Sequence, residues 1–202
     1  VVLSIALLPG LQVGGSQLFR AEVPGPTPDR LEPRIRETAQ RLWGIYVILT
    51  ISQTVLLRLF GMSLFDALCH AFSTMATGGF STYNSSLGHF DSAWIDYITV
   101  LFMILAGTNF GLLLLVATGR WQRMLNDIEW RFYVGIIAVV TMSVMAFGMW
   151  SENFSGFSSA LRYSLFQVVS VMTTTGYGTH DYDLWNNFGR GVLLLLMFVG
   201  GC

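Results

Sequence analysis

Met172-Thr173-Thr174-Thr175-Gly176-Tyr177-Gly178-Thr179 follows directly on the apolar stretch Ser159–Thr174, and the reading of that junction decides the fold. A helix needs roughly 20 mostly apolar residues to cross a bilayer, and apolar segments of about 10–14 are often re-entrant. Ser159–Thr174 is too short and too polar to span, so the spacing predicts a half-span that turns back through the Gly-containing loop. Non-helical backbone at membrane depth is tolerated only where protein buries it or where it lines a watery cavity. Such a loop is therefore expected to face a pore.

Working outward, the same arrangement occurs once more. Leu64–Thr77 is a second short apolar stretch, and Ser73-Thr74-Met75-Ala76-Thr77-Gly78-Gly79-Phe80-Ser81-Thr82 is its loop. Full-length candidate spans flank each half-span: Leu42–Phe60, Ile95–Ala117 and Phe132–Trp150, with Gly191–Cys202 as the start of another. Val1–Leu18, broken by Pro9-Gly10, reads as the tail of an earlier span. A shift of about 98 residues lays Thr77-Gly78 on Thr175-Gly176 and span on span, which predicts an internal repeat. The expected division is 1–41 for the end of a first repeat plus connector, 42–118 for a complete second, and 119–202 for a connector and third repeat. A piece of a longer membrane protein is the expectation.

Composition agrees with burial in lipid. Hydrophobic residues make up 53% of the 202 and charged residues 11%, against about 25% charged in soluble domains. All eleven basic residues are Arg. Arg20, Arg30, Arg34, Arg36 and Arg41 crowd the link before Leu42–Phe60, and Arg120, Arg123 and Arg131 the link before Phe132–Trp150. Cytoplasmic loops carry the excess of positive charge, so these eight mark the inner face and both Gly-containing loops lie toward the outer one. Pro24, Pro26, Pro28 and Pro33 make the first link an extended connector, with helix resuming near Ile35. Two Cys give no disulfide framework; Cys69 and Cys202 read as small thiols in apolar runs. The balance favours a lipid bilayer and offers nothing to nucleic acid.

What such loops can do follows from ion hydration. A cation entering a membrane must replace its water shell, and rings of backbone carbonyls supply the oxygens. Aiming successive carbonyls at one axis requires positive φ, which glycine adopts without a Cβ penalty. Threonine adds a hydroxyl oxygen, and a half-helix pointing its C-terminus at the cavity adds partial negative charge. Thr174-Thr175-Gly176-Tyr177 and, less completely, Ala76-Thr77-Gly78-Gly79 meet these demands, with Thr77, Gly78, Thr175 and Gly176 as the expected core.

Thr174–Gly178 differs at one position from the T-V-G-Y-G filter of potassium channels. The whole chain resembles the Trk/Ktr/HKT superfamily of potassium transporters, and within it the bacterial Trk-type uptake subunit. The residues that carry this are Ala76–Thr82 with Phe90-Asp91-Ser92, Thr173–Thr179 with Asp181-Tyr182-Asp183-Leu184-Trp185, and Phe198-Val199-Gly200-Gly201-Cys202. Gly14-Gly15, Gln17-Leu18 and Arg20–Pro26 match the family's first connector. The resemblance implies an all-α membrane fold of four span–pore-loop–span units around one pore, each giving one filter strand. It implies K+ as the transported ion, bound mainly by backbone carbonyls of Ala76, Thr77, Gly78, Gly79, Thr174, Thr175, Gly176 and Tyr177, and no cofactor. A homodimer in the cytoplasmic (inner) membrane, a cytoplasmic nucleotide-binding regulatory subunit, and a gate beginning at Gly200-Gly201-Cys202 are further implications. Transport by symport or by simple conduction fits equally. Glycine at both filter positions favours potassium over sodium, while Gly79-Phe80 in place of Tyr-Gly suggests looser discrimination.

Other residues have plainer readings beside functional ones. Gly107 and Gly111 have the spacing of a helix-packing motif, with a pore-facing Asn109 as the alternative. His70 reads as a hydrogen-bonded buried side chain, and His89 and His180 as solvated. Asp91, Asp181 and Asp183 either concentrate cations at the mouth or form a solvated rim. Trp94, Trp150 and Trp185 suit an interfacial belt. The rival classes are a membrane enzyme or a scaffold. No span carries a Ser/His pair, paired Asp or His-x-x-x-His, so catalysis is disfavoured. Whether the loops converge separates a pore from a scaffold.

Overall fold

The computed structural model describes residues 35–151, 156–180, 185 and 187–200. The first connector, Val1–Leu18, Asp181, Asp183, Gly201 and Cys202 lie outside them. All regular structure among the described residues is helical: α1 (Ile35–Leu59), α2 (Leu64–Met75), α3 (Ala93–Ala106), α4 (Phe110–Ala117), α5 (Trp121–Asn126), α6 (Ile128–Trp150), α7 (Phe157–Met172) and α8 (Asn187–Gly200), with a 3-10 turn over Ser86–Phe90. Two stretches, Ala39–Leu59 in α1 and Ile128–Trp150, are long and apolar enough to cross a membrane. As expected, α2 and α7 are half-spans of 12 and 16 residues. Large apolar side chains stand exposed along the spans, among them Ile51 and Val55 of α1, Val139 and Met142 of α6 and Leu194 and Leu195 of α8. Water would penalise those surfaces; lipid does not.

One expected span differs. Ile95–Ala117 is not a continuous helix, because α3 stops at Ala106 and α4 starts at Phe110. Gly107 closes α3, and the Asn109 side chain accepts from the Gly111 amide at 2.9 Å, which caps the new helix. Asparagine favours N-caps because its short side chain reaches an otherwise unpaired amide. Asn109 is thus a capping residue, and Gly107-x-x-x-Gly111 does not lie on one helix face.

The chain divides into two compact units. Among described residues, the smaller holds 35–49 and 108–130, where α4 and α5 pack together. The larger holds 50–107 and 131–200. In it α7 is the central element, packing against both α3 and α8, while α2 packs against α3. A half-helix therefore sits at the centre of this unit. Phe166, Val168 and Val169 of α7 are fully buried, with Met103, Val144 and Leu193 from the neighbours in the same core.

Candidate functional site: two pore-type loops

Each loop grows out of the C-terminus of a half-helix. α2 starts at Ser63, whose hydroxyl caps the Asp66 amide, an arrangement worth about 1 kcal/mol. The Asp66 carboxylate in turn accepts from the Ser63 hydroxyl (2.6 Å), the Thr82 hydroxyl (2.7 Å) and the Tyr83 hydroxyl (3.3 Å). The hydroxyls of Ser63 and Thr82 hold this carboxyl below its ordinary value of 3.8, against the opposing effect of burial. The start of the half-helix is so tied to the segment beyond its loop.

The two half-helices end in the same three backbone bonds. At the end of α2, Ala76 N–H donates to Phe72, Thr77 N–H to Thr74 and Gly78 N–H to the Ser73 carbonyl. At the end of α7, Thr173 donates to Val169, Thr174 to Val171 and Thr175 to Ser170. Thr77 and Thr174 each turn a hydroxyl onto the preceding carbonyl, at 2.8 and 2.7 Å. The sign of φ alternates in the same way. Thr77 (49°) and Gly79 (65°) are positive, as are Thr174 (56°) and Gly176 (85°), while Gly78 and Thr175 between them are not.

The register of the repeat is therefore 97 residues, Thr77 on Thr174 and Gly79 on Gly176, and not the expected 98. This corrects the pairing of Gly78 with Gly176. The glycine whose freedom the loop uses is Gly79, and Phe80, not Gly79, stands in the place of Tyr177. A signal for this register was present. Ser73, Met75, Thr77, Gly79 and Phe80 match Ser170, Met172, Thr174, Gly176 and Tyr177 in a shared Ser-x-Met-x-Thr-x-Gly-aromatic pattern.

The loops converge. A Cβ built on Gly79 would overlap the Thr175 carbonyl oxygen and lie 3.1 Å from the Gly176 carbonyl carbon. Farther out, Gly88 N–H donates to the Gly178 carbonyl at 3.1 Å, and Gly178 N–H to Ser86 Oγ at 3.3 Å. Beside Gly176 the space is open, with nothing within 4 Å of a built Cβ. Among the described residues, the carbonyls of Thr77, Gly78, Gly79, Thr174, Thr175 and Gly176 accept no hydrogen bond. Thr175 is buried while the other five residues are partly or largely exposed, so these six carbonyls on two touching loops are oxygens available to water or to an ion. Ala76 and Tyr177 differ: Ala76 closes α2 and its carbonyl accepts from Thr77 Oγ1, and the Tyr177 carbonyl accepts from Ser170 Oγ at 2.7 Å.

Side chains around the two loops hold this backbone in place. Ser73 Oγ accepts from Phe80 N–H at 2.6 Å. His70 and Gln167, equivalent at the shift of 97, are both buried and both reach past their loops. His70 Nε2 meets Ser81 Oγ at 2.9 Å, and Gln167 Nε2 donates to the His180 carbonyl at 3.2 Å. His70 Nδ1 lies 2.7 Å from the Asp66 carbonyl and so carries the proton. Tyr177 inserts its side chain between repeats, its hydroxyl donating to the His70 carbonyl at 3.1 Å. Thr74 Oγ1 lies 3.4 Å from that hydroxyl and accepts from Gln53 Nε2 at 3.0 Å. Helix α1 is thereby linked to the second loop through the side chains of Gln53, Thr74 and Tyr177.

Several outer residues have partners in place of the water expected for them. Arg162 of α7 donates to Asp96 of α3 at 2.7 Å and to Asp91 at 3.3 Å. Asp91 keeps most of its surface exposed, whereas Asp96 is buried. His89 stacks on Tyr83 with ring centroids 3.7 Å apart. Trp185 is buried and donates Nε1–H to His180 Nδ1 at 3.1 Å, so it does not belong to an interfacial belt, and His180 is not simply solvated. Trp94 and Trp150 are exposed, as a belt requires. Cys69 is a free, half-buried thiol. No group of three or more His, Cys, Asp or Glu side chains converges for metal binding among the described residues.

The family model for TrkH, a cation transport protein, matches residues 1–202. The chain belongs to the TrkH family. It is 42% identical over 206 residues to the Trk system potassium uptake protein TrkH of Salmonella typhimurium, covering 100% of this chain and 42% of that one. It is 37% identical over 204 residues to TrkG of Escherichia coli K12, with the same coverage. The crystal structure of the potassium transporter TrkH from Vibrio parahaemolyticus matches with a TM-score of 0.78 at 36% identity, over 96% of this chain and 39% of the other. The chain thus spans about two fifths of the length of these TrkH relatives. Membership, with the apolar helices, makes it part of a membrane protein.

Proposed function

We propose that this chain contributes two strands of a potassium-selective filter to a Trk-type uptake system in the cytoplasmic membrane. The observation that carries the reading is the run of three unpaired carbonyls on each loop, at alternating φ, where the loops meet at Gly79 and Thr175. Alternating the hand of successive residues turns their carbonyls toward one side, whereas a strand would point them to opposite sides in turn. Six oxygens so arranged can stand in for ion hydration, and the C-termini of α2 and α7 add partial negative charge beside them. The ligands are the main-chain oxygens of Thr77, Gly78, Gly79, Thr174, Thr175 and Gly176; Ala76 supports the first strand from the end of its helix. The TrkH and TrkG relatives are potassium uptake proteins, which favours K+ as the ion. Residence in the inner membrane as a multi-pass protein, a homodimer and a cytoplasmic nucleotide-binding subunit come with the same resemblance. The test is K+ flux into proteoliposomes holding the full-length protein, with Na+ as competitor. Protein that is folded but passes no K+ would overturn the reading.

A further inference from the structure

We infer that Ser170 is a specificity-determining residue: its hydroxyl holds the Tyr177 carbonyl away from the ion path and so limits the number of oxygens that the cation meets. The inference rests on the proposed filter function and deepens it. Ser170 is fully buried on α7, behind the loop it precedes, and its Oγ donates to the Tyr177 carbonyl at 2.7 Å. The opposite end of the same peptide is also held, because Gly178 N–H donates to Ser86 Oγ at 3.3 Å. The peptide is tethered at both ends, with its oxygen facing the half-helix. A filter carbonyl available to an ion must face the other way.

The equivalent serine of the first loop does the reverse. Ser73 Oγ accepts from the Phe80 amide at 2.6 Å. The peptide it grips turns its N–H to the half-helix, which leaves the Gly79 carbonyl on the opposite side and unpaired. Two serines at one register position thus have opposite roles, one presenting an oxygen and the other withdrawing one. A serine hydroxyl can donate or accept, so the same residue type serves both. The third repeat's strand consequently offers Thr174, Thr175 and Gly176 and stops there. The number of coordinating carbonyl dipoles is one lever on K+/Na+ selectivity, and through it the withdrawn oxygen tunes discrimination between the two ions.

The experiment is paired K+ and Na+ flux in proteoliposomes of the full-length protein. Ser170→Ala releases the Tyr177 carbonyl, and the K+-over-Na+ ratio is expected to rise by about threefold or more, a change of the size one net hydrogen bond allows. Ser170→Thr keeps the hydroxyl and is expected to restore the original ratio. A Ser170→Ala protein that conducts with an unchanged ratio overturns the inference. If Ser170→Ala does not fold, Ser170→Cys, which keeps the size and weakens the donor, replaces it, and an unchanged ratio there overturns it equally. Absence of K+ flux in the unsubstituted protein would instead strike at the filter reading itself, so the two failures are distinguishable.

Discussion

Gly79 lies against the main chain of Thr175 so closely that no side chain can occupy its Cβ direction. The residue answers two demands together, a positive φ of 65° and contact with a second backbone. Gly79→Ala should therefore be worse than a strain effect alone. Relief requires one loop to move, and an overlap with backbone cannot be absorbed by a rotamer change. The expected cost is about 3 kcal/mol or more, seen as loss of K+ flux together with a lowered melting temperature. A substituted protein with normal flux and stability would show that the loops do not touch as described.

Gly176→Ser is the milder case. Its φ of 85° disfavours an L side chain, yet the space beside it is open. Only left-handed strain opposes the substitution, about 1–2 kcal/mol. The protein should assemble and conduct, with a K+-over-Na+ preference reduced by up to about tenfold. Parallel isotope uptake of both ions reads this out, and an unchanged preference would count against Gly176 as a filter residue.

The ion pair between α7 and α3 should respond unequally to loss of either partner. Removing Arg162 strands the buried Asp96, whose Oδ1 already has no partner. Removing Asp96 leaves Arg162 still 3.3 Å from Asp91. Arg162→Met is expected to cost about 3 kcal/mol, and Asp96→Asn clearly less. Thermal unfolding of the two variants in detergent, compared at one pH, gives the order; the reverse order would refute the asymmetry.

Asp66 supplies a pH-dependent contribution. Hydrogen bonds from Ser63 and Thr82 lower its folded value below 3.8. A lowered folded value stabilises above the unfolded value, and that contribution is lost as pH falls through the folded one. The native protein should therefore melt above Asp66→Asn at neutral pH, with the gap closing only below about pH 3.8. A gap that is constant across that range would mean that the carboxylate charge is not what holds the half-helix.

Much of this arrangement is legible in residue order. The short apolar runs before Gly-containing loops locate α2 and α7 to within about two residues, because hydropathy and length alone separate a half-span from a span. The expectation of a buried, hydrogen-bonded His70 is met. The break at Gly107–Asn109 was not legible, since a 23-residue apolar stretch with one asparagine reads as continuous until the cap is seen. Trp185 near a span end could equally face lipid or the core. Arg162 and Asp96, 66 residues apart, gave no pairing signal.

The amino-acid order by itself determined that the chain lives in lipid, that two half-helices punctuate its spans, and that threonine and glycine follow each of them. Tertiary structure alone decided how closely Gly79 meets the other loop, and which way the Tyr177 carbonyl faces. The reason is physical. A serine hydroxyl can donate or accept, and whether Ser73 and Ser170 do one or the other is set by the peptide that folding brings to each, which local sequence does not contain.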